Sequence, residues 1–131
     1  MIGLDTNVLV RYIMQDDARQ SPKATKIIEA LAGVGSGYVT LVSIVELVWV
    51  LSASYELTRA QVAQALDGIM RTKQFKIESA DQVLRALRVF KGGKSDFADC
   101  LIERTSDSAG CEKTVTFDVH ASKHAGMTLI S

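Results

Sequence analysis

The sequence predicts an α/β fold: a central parallel β-sheet flanked by helices on both faces. Three observations point there. Short apolar, strand-like pieces alternate with longer pieces whose apolar residues recur at helical spacing. The chain has 131 residues, the size of one domain. Apolar residues make up 47% of it, enough for a packed core rather than a disordered chain. We read residues 1–131 as a single domain.

The elements follow in order. Residues 1–5 open on an apolar strand, and residues 6–14 read as a helix. Ser21-Pro22 is a helix-start signal, with Ser21 as N-cap and Pro22 at the first helical position. That helix continues through Ile27, Ile28 and Leu31. Gly33, Gly35 and Gly37 break it, and residues 38–40 form a strand. Residues 41–55 are too long for an ordinary strand and read as a helix, although their valines also suit a strand. Thr58 is placed to cap a helix over 59–72, with Val62, Leu66, Ile69 and Met70 on one face. Residues 75–77 alternate as a strand. Residues 79–90 carry Val83, Leu84, Leu87 and Phe90 at helical spacing, and Gly92-Gly93 ends that helix. Ser95 or Asp96 caps the next, which runs to Ser108. Residues 114–117 form a strand, 119–125 a short helix and 128–130 a last strand.

Composition narrows the function. Fifteen basic side chains balance fifteen acidic ones, so a general nucleic-acid coat is excluded while a local basic rim is not. No apolar run reaches the roughly 20 residues that span a bilayer. No basic segment precedes the apolar opening, which argues against a secretory signal. Cys100 and Cys111 have no metal-type spacing and read as reduced thiols of a cytoplasmic protein.

Four carboxylates stand out. Asp5 and Asp118 end strand-like pieces, and in parallel sheets the ligand crevice lies beyond the carboxyl ends of the strands. Each also has a plain reading as a helix N-cap. Asp96 and Asp99 fit an N-cap and the third helical position, with Asp99 complementing the helix dipole. Their spacing puts both on one helical face, which Glu103 continues as a supporting or solvated group. Glu46 interrupts the apolar run from Tyr38 to Leu51, where Thr40, Ser43 and Glu46 share one stripe. An ionised glutamate there must find a partner, an arginine or a metal, or stay at an edge. Acids brought together repel unless a cation joins them. Hard ions such as Mg²⁺ prefer carboxylate oxygens, and such a site suits phosphodiester hydrolysis.

These residues also carry a resemblance. Asp5-Thr6-Asn7-Val8-Leu9, Ser43-Ile44-Val45-Glu46-Leu47, Asp96-Phe97-Ala98-Asp99-Cys100-Leu101-Ile102 and Thr116-Phe117-Asp118 resemble, in order and separation, the four signature segments of PIN-domain ribonucleases. The similarity is greatest to the toxins of VapBC-type toxin–antitoxin pairs. It implies Asp5, Glu46 and Asp99 as central acidic ligands of Mg²⁺ (or Mn²⁺) and Asp118 as the fourth acid. It implies that Thr6 and Thr116 orient those carboxylates, with Asn7 near the site and Asp96 as an additional acid. Cys100 stands where a small residue such as alanine is more usual. The resemblance further implies an RNA substrate, a small antitoxin partner and a homodimer. Apolar surface near 12–14 and 41–55 is available for the dimer or the antitoxin.

Other features are weaker. His120 and His124 lack the glutamate of a zinc-protease helix and read as part of a solvated terminal helix. Lys91-Gly92-Gly93-Lys94 reads as a solvated loop, not a phosphate-binding loop. No serine has the glycine flanks of a nucleophile elbow. Trp49 and Tyr55 read as core or interface. Two alternatives to the nuclease stay open: a phosphotransfer module of receiver or haloacid-dehalogenase type, and a non-catalytic PIN-like interaction domain. The first needs a second acid beside Asp5, where Thr6-Asn7 stand. The second is favoured by loss of an acid, and none is lost.

Overall fold

A computed structural model describes all of residues 1–131. Its elements run β1 (Ile2–Gly3), α1 (Thr6–Met14), α2 (Gln20–Glu29), β2 (Gly37–Val39), α3 (Leu41–Ala53), α4 (Arg59–Arg71), β3 (Phe75–Ile77), α5 (Ala80–Gly92), α6 (Phe97–Ser108), β4 (Val115–Thr116), α7 (Val119–His124) and β5 (Thr128–Leu129). The expected alternation of strands and helices holds throughout. The chain forms two compact units, Met1–Glu78 and Ser79–Ser131.

In the first unit β1, β2 and β3 make a three-stranded sheet in that order, with both pairs parallel. Parallel neighbours require a crossover, supplied by α1–α2 and then by α3–α4. Register places Gly37 opposite Phe75 and Val39 opposite Ile77. The face of β2 and β3 that carries Gly37, Val39, Phe75 and Ile77 is therefore buried, while Lys76 of the other face is exposed. Gly37 is closely approached: a Cβ there would lie 2.9 Å from Leu31 Cδ1 and 3.0 Å from Leu4 Cδ1, so a leucine end would have to shift.

Helix termini explain most boundaries. Thr58 caps α4, as its sequence suggested, and in the structure Gln61 completes a capping box. Helix α3 begins where Thr40 Oγ1 accepts from the Ser43 amide at 3.1 Å and Glu78 accepts from the Leu41 amide at 2.9 Å. The start of α2 differs from expectation. Asp17 accepts from the amides of both Arg19 and Gln20, at 2.9 and 2.7 Å. The helix thus begins before Ser21, which is buried within its first turn instead of capping it. The same two amides hold the Asp17 carboxyl below its ordinary pKa, with the Gln20 amide the larger cause.

In the second unit α5 packs on α6, with Phe90 and Phe97 edge to face at 5.8 Å between centroids. β4 and β5 form a parallel pair, with Val115 opposite Thr128. Helix α5 runs through Gly92, so Lys91 is helical and the loop is shorter than the Lys91–Lys94 motif suggested. Glu103, expected as a supporting or solvated group, is buried. It is ion-paired with Arg104 and lies against Gly126, whose φ of +80° favours glycine.

Candidate functional site

The first unit brings Asp5 and Glu46 together through Thr6. Strand β1 ends at Gly3, Leu4 is buried, and Asp5 turns the chain into α1. The Asp5 side chain accepts from the Thr6 amide at 2.7 Å. Thr6 itself is buried, and its hydroxyl donates to Glu46 Oε1 at 2.9 Å. One residue thus fixes one oxygen of each acid and leaves Asp5 Oδ2 and Glu46 Oε2 without a protein donor. Both acids, with Asn7, line a cavity of about 700 Å³. That volume falls in the range of roughly 300–1,000 Å³ typical of small-ligand sites.

Glu46 takes the second of the two courses open to it and stays at an edge. It is not a buried charge. It sits on the exposed stripe of α3 with Val42 and Trp49, while Ser43, Ile44, Leu47, Val48 and Leu51 face inward. Its partner is Thr6, not an arginine. Trp49, at 66% exposure, is likewise not a core residue.

Sequence reasoning missed the other wall of this cavity. Arg11, Asp16 and Tyr55 line it together with Val10, Val50 and Ser54. Arg11 Nη1 donates to Tyr55 Oη at 3.0 Å and to Asp16 at 3.3 Å, and Arg11 Nε donates to Gln20 at 2.8 Å. Tyr55 donates to Asp16 at 2.8 Å, which makes its hydroxyl hold its proton more tightly than usual. Asn7 and Arg11, four apart on α1, were the one available signal, because that spacing stacks them on a single face.

The second unit holds the other acids. Asp96 caps α6, accepting from the Ala98 amide at 2.8 Å, and Asp118 caps α7, accepting from the His120 amide at 2.8 Å. Thr116 Oγ1 accepts from the Asp118 amide at 3.0 Å, which fixes the start of that turn. Asp99 sits at the third position of α6 and accepts no hydrogen bond from the protein. Its carboxyl pKa is raised, first by partial burial, then by the negative charges of Asp96 and Asp118; His120 opposes the shift. Ser95 does not cap α6. It is fully buried and accepts from the Cys100 thiol. His120 contacts the Lys94 carbonyl at 2.8 Å, and its ring lies tilted against His124, 4.6 Å between centroids. Neither unit by itself groups three His, Cys, Asp or Glu side chains as a metal set.

A family model described as the PIN domain matches residues 2–127. The chain belongs to the PIN-domain family. This PIN domain has the expected α/β architecture of parallel strands and helices. It is 24% identical over 115 residues to a VapC ribonuclease of Aquifex aeolicus (strain VF5), covering 87% of this chain and 84% of that protein. The crystal structure of VapC20 from Mycobacterium tuberculosis, described as a sarcin–ricin-loop-cleaving toxin, aligns over 98% of this chain and 97% of that one. The identity is 17% and the TM-score 0.47. No helix is long and apolar enough to cross a membrane.

Proposed function

We propose that this PIN-domain protein is a divalent-metal-dependent endoribonuclease and the toxin of a toxin–antitoxin pair. The observation that carries the reading is Thr6 holding Asp5 and Glu46 at one cavity, each with an oxygen left for a ligand. In this reading Asp5, Glu46, Asp99 and Asp118 hold Mg²⁺ or Mn²⁺, and residues 1–131 act as one domain. A single family match running from residue 2 to 127 supports the domain reading.

The side chains fit such an ion. All four are hard oxygen donors of the kind that Mg²⁺ and Mn²⁺ accept. Asp99, crowded by Asp96 and Asp118, is the kind of carboxylate whose repulsion a cation relieves. When bound, the ion supplies neutralisation of charge on the phosphate and makes water a stronger nucleophile near neutral pH. The chain's own residues do the positioning. Thr6 fixes the Asp5 and Glu46 carboxylates, Thr116 fixes the turn that presents Asp118, and Asn7 offers an amide at the cavity wall. Attack of water on phosphorus, in line with the leaving 3′ oxygen, leaves a 5′-phosphate and a 3′-hydroxyl.

RNA as substrate and a small antitoxin as partner follow from the similarity to a VapC ribonuclease. Val42 and Trp49, 69% and 66% exposed on α3, offer apolar surface for a homodimer or the antitoxin. A cytoplasmic setting belongs to the same reading, and both cysteines are free thiols.

The test is cleavage of labelled RNA by the purified protein in Mg²⁺, in Mn²⁺ and in chelator, with Asp5→Asn as control. Few cuts, present with metal and absent with chelator or in Asp5→Asn, are expected. Cleavage that survives chelation would sink the proposal.

A further inference from the structure

The wall opposite the acids has a cation that the proposed chemistry does not use. Arg11 is held by three bonds, from Nε to Gln20 and from Nη1 to Asp16 and Tyr55. A guanidinium has five N–H donors. The two on Nη2 have no protein acceptor. The side chain is about one-third exposed, at 30%, and lines the cavity that holds Asp5 and Glu46. Arg11 also lines a second cavity of about 200 Å³, shared with Asn7, which adds the cation Lys23. Asn7 and Arg11 line both cavities, so Arg11 stands between the acids on one side and Lys23 on the other.

The spacing suits a nucleic-acid backbone. From Thr6, beside the acids, to Arg11 the helix rises roughly 7–8 Å. That is close to one nucleotide repeat of an extended strand. A pre-oriented arginine with a free edge is well matched to a phosphate. Val10 and Val50 give the same cavity an apolar wall against which a ribose or base can rest.

We propose that Arg11, held in place by Gln20, Asp16 and Tyr55, binds the RNA phosphate next to the one that is cleaved. The proposal rests on the ribonuclease reading and adds a positioning residue for a single-stranded part of the substrate. Its competitor is that Arg11 is a strut tying the α1–α2 loop to Tyr55.

The experiment measures binding, not turnover. Asp5→Asn serves as the parent, so that RNA is bound and not cut. A fluorescein-labelled RNA hairpin with a long unpaired loop is titrated in Mg²⁺ buffer at several salt concentrations, read by fluorescence anisotropy. Adding Arg11→Gln should weaken binding roughly tenfold. The slope of log K against log salt should fall by about 0.7, the share of one phosphate contact on a single strand. Arg11→Lys should keep the slope. Tyr55→Phe removes the hydroxyl that orients Arg11 but keeps the charge, so it should weaken binding at unchanged slope. It carries the test if Arg11→Gln proves unfolded by circular dichroism. Equal affinity and slope in Arg11→Gln, or equal affinity in Tyr55→Phe where that variant decides, would overturn the proposal and leave Arg11 a strut. A parent that binds no RNA would overturn the ribonuclease reading, and this proposal with it.

Discussion

Replacing Thr6 by valine separates the site's geometry from the fold's stability. Valine keeps the branched shape and removes the hydroxyl that donates to Glu46 at 2.9 Å. A protein hydrogen bond of this kind contributes about 1 kcal/mol net. The loss leaves no buried carboxylate unpaired, because Glu46 is exposed and water can replace the hydroxyl. Stability should therefore fall by about 1 kcal/mol or less, and Tm by roughly 3–5 °C. The effect on function should be larger. Groups that orient metal-binding side chains typically cost about 10–100-fold in metal affinity or activity when removed. Thr6→Val should lose cleavage and Mn²⁺ affinity in that range, and Thr6→Ser, which keeps the hydroxyl, should restore most of both. The assays are thermal melting, RNA cleavage and Mn²⁺ titration on the three proteins. Full activity in Thr6→Val, or equal loss in valine and serine, would refute the role given to the hydroxyl.

Three further outcomes are expected. Asp99 binds its proton more tightly folded than unfolded, so the stability linked to its protonated form is present at low pH and lost as pH rises through the raised pKa. Asp99→Asn in chelator should thus melt higher than wild type at pH 7, with the gap closing as pH falls, and should lose cleavage; a lower melting point at pH 7 would contradict this. Thr58→Ala breaks the capping box of α4 and should cost about 1 kcal/mol in chemical denaturation without touching cleavage. Gly37→Ala forces a Cβ against Leu31 and Leu4 and should cost about 1–3 kcal/mol by overpacking, offset by less than about 1 kcal/mol from the stiffer unfolded chain. An unchanged denaturation midpoint would show that those leucines move aside freely.

Local chemistry was legible in the sequence where it acts over a few residues. Thr58, Asp96 three before Asp99, and Gly92-Gly93 after Phe90 each specify a helix end through nearby backbone groups. The apolar run 41–55 is a helix despite its valines, because it is too long for a strand. Asp17 was missed because Ser21-Pro22 offers a competing start signal two residues into the actual helix. The sequence left open whether Glu46 is buried or at an edge, because a helix apolar nearly all round hides which face points outward; Val42 and Trp49 share that outer stripe. The Arg11–Asp16–Tyr55 cluster depends on a contact across 44 residues, which no local pattern announces. Glu103 is buried, and Gly126 lies close to it, another juxtaposition of distant positions.

The proposed function has Asp5, Glu46, Asp99 and Asp118 together hold the divalent metal. Its most direct test is a Mn²⁺ titration followed by electron paramagnetic resonance, on wild type and on Asp5→Asn, Glu46→Gln, Asp99→Asn and Asp118→Asn, each checked for folding by circular dichroism. Wild type should bind Mn²⁺, and every one of the four substitutions should weaken that binding. Wild-type affinity in Asp99→Asn, with binding lost in Asp5→Asn, would contradict the proposal.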